Sequence, residues 1–466
     1  MFDLGIKRAH IVGESRVDFG NLYVTDGKFA AISSEELSAR DSVDASGRIV
    51  FPGGVDPHVH FNDPGFTAGE DFQTGSMAAV AGGITTVFEM PLTNPLTVDK
   101  PSFLLKKGEA AKKSVADFGL YLALTPDSCK HVGELMALEP IAFKAFMSYS
   151  PEIPMVKDGE LLAGMRAIRA ANSRIAVHCE NNDIITFLTA QLKKTGRNDP
   201  RAYVESRPDY SEWEAVQRAV TMAIIAGVHL HVVHSSTPEG AKFVAEARQA
   251  GHPISVETAQ HFLFLDADDF ERVGPFAQCN PPLRARGNAD KLWEAIRNGQ
   301  IDCVGTDHAP YTIEEKLRGK GSVWDTPAGM NNIQSAIPLF LGEGIKRRIP
   351  LTRLARVYAT APAQLFNIYP KKGAITIGGD ADMFLFDPSE EWVVDPKHTF
   401  YKQKWTPFEG MKVSGRVKRT WVRGTVVYED AAPIGSIVVE PGFGQFIPGQ
   451  TGNAMFSIPS GNAAVA

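Results

Sequence analysis

His58 and His60 stand two residues apart in Val55-Asp56-Pro57-His58-Val59-His60. In an extended chain that spacing puts both imidazoles on one face, where they suit a borderline cation such as zinc. The same spacing serves packing or hydrogen bonding, so the pair alone leaves both uses open. The run before it, 48–55, is apolar and β-branched and is broken by Pro52 and Gly53, as for a chain entering a buried strand.

Other residues able to ligate a cation end further apolar runs. Lys144 lies in Ala142-Phe143-Lys144-Ala145-Phe146-Met147, His178 in Val177-His178-Cys179-Glu180, and His234 in Val232-Val233-His234-Ser235. Asp307 follows Val304-Gly305-Thr306 and precedes His308-Ala309-Pro310. Taken singly, a histidine there is often a hydrogen-bonding residue and an aspartate often a cap. Their recurrence at the ends of five apolar runs favours a metal site. Lys144 is the odd member, because an unpaired ammonium among Phe and Ala in a buried strand is costly. One explanation is a buried ion pair with an acidic neighbour. The other is carbamylation by carbon dioxide, which makes the amine an anionic group able to bridge two cations. The residues themselves leave both open.

The elements that must position these side chains alternate. Strand-like runs are expected at 54–61, 84–90, 117–124, 141–147, 174–179, 229–234, 253–258 and 301–306. Helical patterns are expected between them at 71–81, 101–115, 158–171, 212–226, 238–250 and 288–298. Alternation of this kind means a parallel sheet, and eight strands point to a TIM-like (β/α)8 barrel with its chemistry at the C-terminal strand ends. A doubly wound open sheet is the alternative, but no Gly-x-Gly-x-x-Gly follows the first strand. At both chain ends the texture changes to short strands and tight turns. Asp26-Gly27 separates two strand-like runs, and Arg423-Gly424 separates two more, each a hairpin signal. Neither end makes a stable sheet alone. The expected division is therefore a small β-sandwich from 1–51 plus 371–430, a barrel over 52–370, and an irregular, Gly- and Pro-rich arm over 431–466.

Composition excludes more than it identifies. The 466-residue chain is 44% hydrophobic and 22% charged with a net charge of −6, ordinary for a globular protein and without the basic footprint of a nucleic-acid partner. Its longest apolar stretch, 219–230, is interrupted by Thr221 and His229 and is too short to span a membrane. Met1-Phe2-Asp3-Leu4-Gly5-Ile6-Lys7 has no charged leader before an apolar core, so no signal peptide is expected. Cys129, Cys179, Cys279 and Cys303 are scattered, with no Cys-x-x-Cys spacing. They read as buried free thiols in a reducing cytoplasm.

The chain resembles the cyclic amidohydrolases of the amidohydrolase superfamily, the group of dihydroorotases, allantoinases and hydantoinases/dihydropyrimidinases. The resemblance rests on His58-Val59-His60, Gly82-Gly83-Ile84-Thr85-Thr86, Phe143-Lys144, His178-Cys179-Glu180-Asn181, His234-Ser235-Ser236, Asn280-Pro281-Pro282-Leu283-Arg284 and Thr306-Asp307-His308-Ala309-Pro310. It runs from the first strands to about Glu429. It implies two divalent metal ions. One is held by His58, His60, carbamylated Lys144 and Asp307, the other by carbamylated Lys144, His178 and His234. Zinc suits the His-rich set, and manganese, cobalt or iron would also fit. The implied reaction opens a cyclic amide or ureide by attack of a hydroxide shared between the metals, with Asp307 as base and then acid. Relatives are often tetramers, so the resemblance allows a homotetramer. Other relatives of this fold are non-enzymatic assembly proteins that have lost metal ligands. This chain keeps every ligand position.

The same motifs bear on the ring. Dihydroorotases carry an Arg two residues after the second His and an Asn after Met-Pro, both holding a substrate carboxylate. Here those positions are Asn62 and Leu92, and loss of the bidentate Arg removes the natural carboxylate partner. Phe61-Asn62-Asp63-Pro64-Gly65 and Glu89-Met90-Pro91-Leu92 are similar to allantoinases. Tyr149, Pro407-Phe408-Glu409-Gly410-Met411 and Gly442-Phe443-Gly444-Gln445-Phe446 are similar to hydantoinases, where such a Tyr faces the oxyanion. The hydantoinase-like reading stands slightly ahead of the allantoinase-like one, and dihydroorotase is the alternative. Asn280 and His261 are further candidates for substrate contact, and 326–330 is expected to form a wall or lid.

Overall fold

A computed structural model describes residues 1–431 and 435–452. Eight parallel strands form the central sheet, in sequence order around it. They are Gly54–Val59, Ile84–Glu89, Asp117–Ala123, Ala142–Phe146, Arg174–His178, His229–Val232, Ile254–Ala259 and Cys303–Gly305. Nearly every residue in them is buried, as expected for parallel strands covered on both faces. This is why continuous apolar runs, rather than alternation, revealed them. The seam between the last and first strands closes through a parallel bridge from Val59 to His308, with His60 N–H donating to the His308 carbonyl at 2.8 Å. Asp56 stitches the same seam, its carboxylate accepting from Thr306 N at 3.1 Å and Thr306 Oγ1 at 2.5 Å. The expected barrel is present.

The anticipated helices begin where capping chemistry dictates. Asp71 accepts from Thr74 N ahead of Phe72–Ala81, and Asp99 forms a capping box with Ser102 ahead of Lys100–Lys113, each satisfying an orphan N–H. Among the described helices of ten or more residues, two were not expected from the pattern, Asn182–Lys194 and Ile333–Lys346. The second contains Pro338 and is apolar almost all round, so neither a clean stripe nor an uninterrupted propensity marks it. Among the described residues no helix is long and apolar enough to cross a membrane.

The chain ends form one continuous nine-stranded mixed sheet, in which Met383–Val393 pairs with Ile49–Pro52. It encloses its own core of Ile6, Leu22, Met383, Leu385 and Trp421. Both hairpin turns have two residues with positive φ, Asp26 and Gly27 at 50° and 72°, and Arg423 and Gly424 at 48° and 72°. That is the conformation whose twist matches the flanking strands. Two regions differ from the expected division. Residues 394–411, grouped with the small sheet, instead run over the barrel mouth. Gln403 Nε2 donates to Ala68 O at 2.7 Å and Trp405 Nε1 to Tyr311 O at 2.9 Å. The arm, expected to be irregular, supplies an ordered edge in its described part. Phe118 N donates to Gln445 O at 2.9 Å and Ile447 N to Phe118 O at 2.7 Å. It fills the place beside the third strand that the fourth, first paired at Ala142 opposite Tyr121, leaves open. The remainder of the arm, 453–466, lies outside the described residues.

Candidate active site

The strands bring all six candidate ligands to one end of the barrel. His58 is the last residue but one of the first strand and His60 follows it, their ring centroids 5.3 Å apart. Lys144 is the middle residue of Ala142–Phe146, so it faces opposite to Phe143 and Ala145, which join the outer core. His178 closes the fifth strand. His234 and Asp307 lie just past strand ends with φ of 38° and 48°, a left-handed conformation rare for non-glycine residues and frequent at functional sites.

His58 Nε2 and His60 Nε2 lie 3.2 and 3.3 Å from the same oxygen of Asp307, with the ligand atoms of the three mutually within 4.8 Å. His178 Nδ1 lies 2.9 Å from His234 Nε2. Burial, together with the Lys144 ammonium, pushes the His58 imidazole down. Burial does the same for His178 against the opposing pull of Glu180, and burial with His178 and Lys144 does it for His234. These rings are thus neutral near pH 7, the form that ligates a cation. Burial opposes ionisation of Asp307, but His58, His60 and His234 outweigh it and hold the carboxyl far below its ordinary value.

Lys144 decides whether the set fits a metal centre. It is completely buried, and its Nζ has no hydrogen-bond partner among the described residues. The Phe146 ring lies 5.0 Å from it. Among the described residues, the buried ion pair expected as one explanation is therefore not formed. Burial pushes the amine down to about 8, with Asp307 and Glu257 opposing from a distance. His234 Nδ1 is likewise buried without a partner. Four imidazoles, a carboxylate and an orphaned amine fit divalent cations of the zinc type.

Two carboxylates behind the cluster were not anticipated. Glu257 Oε1 lies 2.9 Å from His58 Nδ1, accepts from the His234 main-chain N at 3.1 Å, and its Oε2 is 3.5 Å from His231 Nε2. Glu180 Oε2 lies 2.8 Å from His178 Nε2 and accepts from Arg207 at 2.5 Å. Despite burial, His58 and His231 hold Glu257 down at about 2, and Arg207 and His178 hold Glu180 at about 2. An ionised carboxylate behind a ring fixes its tautomer and turns the other nitrogen to the cation. The clue to Glu257 was a lone carboxylate inside the apolar strand Ile254–Ala259, the same anomaly that singled out Lys144. Glu257→Ala should weaken metal binding about 10–100-fold, as read by competition with a chromophoric chelator. An unchanged affinity would remove this role.

A cavity of about 700 Å³ opens above the cluster, with His58, His60, His178, His234 and Asp307 on its floor. Asn62, Tyr149 and Asn280 line it, and so do Thr326–Gly329. Asn62 has its Nδ2 committed to Pro310 O at 2.7 Å, and Asn280 Oδ1 accepts from the Tyr203 hydroxyl. Tyr149 is 70% exposed at the rim. His261 differs from the other three candidates for substrate contact. It lies in the short helix Gln260–Leu263, is fully buried, and is not among the residues that line the cavity. Burial pushes its imidazole down to about 4. Arg207 and Gln278 line the cavity, although neither stood out in the sequence.

The amidohydrolase family profile matches residues 49–427. The chain is 37% identical over 453 residues to an L-hydantoinase of Paenarthrobacter aurescens, covering 96% of this chain and 98% of that one. It is 36% identical over 433 residues to an allantoinase of Solibacter usitatus, covering 92% and 94%. The solved structure of L-hydantoinase (dihydropyrimidinase) from Arthrobacter aurescens superposes with a TM-score of 0.93 at 37% identity, covering 96% of this chain and 100% of that one. Fold, strand-end cluster and likeness over nearly the full length agree: the chain belongs to the amidohydrolase family.

Proposed function

We propose that this protein is a metal-dependent hydrolase that opens a cyclic amide or ureide of the hydantoin or allantoin type. The observation that carries the reading is the buried Lys144 amine, without a hydrogen-bond partner among the described residues, set behind the four imidazoles and Asp307 that floor a cavity large enough for a small ring. His58, His60, Asp307 and Lys144 would hold one cation, and Lys144, His178 and His234 a second, with Lys144 carbamylated so that one side chain serves both. Zinc is the favoured metal. When bound, two such cations supply Lewis-acid polarisation of the amide carbonyl and lower the pKa of water.

The chain's own groups do the rest. Asp307, ionised across the neutral range, accepts the proton of the attacking water and returns it to the ring nitrogen that leaves. Glu257 and Glu180 keep His58 and His178 turned toward the centre. Asn62 supports a neutral ring substituent over a carboxylate, because no guanidinium stands at that position. The relatives that carry the names L-hydantoinase and allantoinase support the same class of ring. The reading includes a homotetramer and a cytoplasmic location, the latter in keeping with four free thiols.

Chelation should abolish hydrolysis of hydantoin, 5-substituted hydantoins or allantoin, and added zinc should restore it. Metal-loaded protein that turns over none of these, nor dihydrouracil, would overturn the proposal. Turnover of dihydroorotate alone would replace it with the dihydroorotase reading.

A further inference from the structure

Lys316 comes from the short helix Ile313–Leu317, which Thr312 and Glu315 start with a reciprocal capping box. Its side chain is fully buried. No carboxylate lies within ion-pair distance of it among the described residues. Instead Nζ donates to three main-chain carbonyls, Gln278 O at 3.3 Å, Pro327 O at 2.9 Å and Gly329 O at 2.8 Å. These account for all three donors of an ammonium, and the Trp405 ring covers it at 5.4 Å. A buried cation left to peptide dipoles alone is an expensive arrangement. It is placed where two irregular segments meet.

Both segments belong to the cavity wall: Gln278 to Asn280 on one side, Thr326 to Gly329 on the other. Apart from Lys316 they are joined by Gly329 N donating to Gln278 O at 2.9 Å and by Gln278 Nε2 donating to Thr326 O at 2.9 Å. The fit is close. A Cβ at Gly329 would lie 2.3 Å from Ala309 O, so the wall has no slack for a side chain there. Neither segment is an element with its own hydrogen-bond ladder, and segments of that kind are ordinarily the mobile ones.

We propose that Lys316 is a positioning residue for substrate binding. Its ammonium fastens the 278–280 and 326–329 segments into one rigid wall of the cleft, behind the substrate and apart from the metal cluster. This rests on the proposed function, in that the cavity is taken as the substrate site. Preorganising the wall lowers the ordering cost of binding, so its loss falls on KM before it falls on the chemical step.

The test compares metal-loaded wild type, Lys316→Met and Lys316→Gln on the best cyclic amide of the panel, alongside metal analysis and amide hydrogen exchange. Lys316→Met keeps the length and loses charge and donors. We expect its KM to rise about tenfold or more with kcat within about threefold, metal content at the wild-type level, and faster exchange across 326–330. Lys316→Gln keeps two N–H donors and should fall between the two, which also covers a failure of the Met variant to fold. Unchanged KM and exchange would overturn the inference. So would metal content and kcat falling together, the mark of a purely structural residue. A wild type inactive on every ring would strike the functional reading instead, while the exchange comparison still reports on Lys316.

Discussion

Lys144→Met should give a folded protein that binds less metal and has lost activity by at least about 10³-fold in kcat/KM. The stability of the metal-free protein separates this result from simple damage. The native amine is buried and has no partner among the described residues, so it costs free energy in the apoprotein. Replacing it with an apolar chain of similar length removes that cost without opening a cavity. The metal-free variant should therefore melt at or above the temperature of metal-free wild type. Metal stoichiometry by elemental analysis and thermal melts of both apoproteins check the prediction together. Full two-metal occupancy in the variant would refute the bridging role. A sharply lowered apoprotein melting temperature would mean that Lys144 serves packing.

Asp307→Asn should reduce kcat by about 10²–10⁴-fold under saturating metal, the range for loss of a general acid–base group. The substitution is unusually clean. Asp307 has a φ of 48°, and Asn is among the few residues that adopt this region readily. The strand-end turn is thus kept while the charge goes. What is lost is the acceptor that His58 and His60 hold ionised at 3.2 and 3.3 Å. Metal affinity should fall too, because an amide is a poorer ligand than a carboxylate. Steady-state kinetics across a metal titration separate the two effects. Recovery of wild-type kcat at high metal would show that Asp307 only ligates and moves no proton.

The strands were legible because a parallel strand buried on both faces is written locally, as a short apolar run. Lys144 was legible for the same reason: a charge within such a run stands out against it. The partners of these residues were not. Glu257 meets His58 across 199 residues of chain, and Lys316 reaches carbonyls that have no side-chain identity to read. The candidate contacts divided in an instructive way. Asn62, Asn280 and Tyr149 line the cavity, whereas His261 is fully buried and does not line it. A residue just beyond a strand end faces in or out according to the turn that follows, and turns yield to tertiary packing.

By itself, then, the sequence determined the barrel and the six candidate ligands gathered at one end of it. Strand periodicity and residue type are properties of a few neighbouring positions. Only the tertiary structure decided that the Lys144 amine has no acidic partner among the described residues, that Glu257 and Glu180 hold two of the imidazoles, and that Lys316 reaches three carbonyls of the cleft wall. Those depend on distances between segments far apart in the chain, and only the closed barrel sets them.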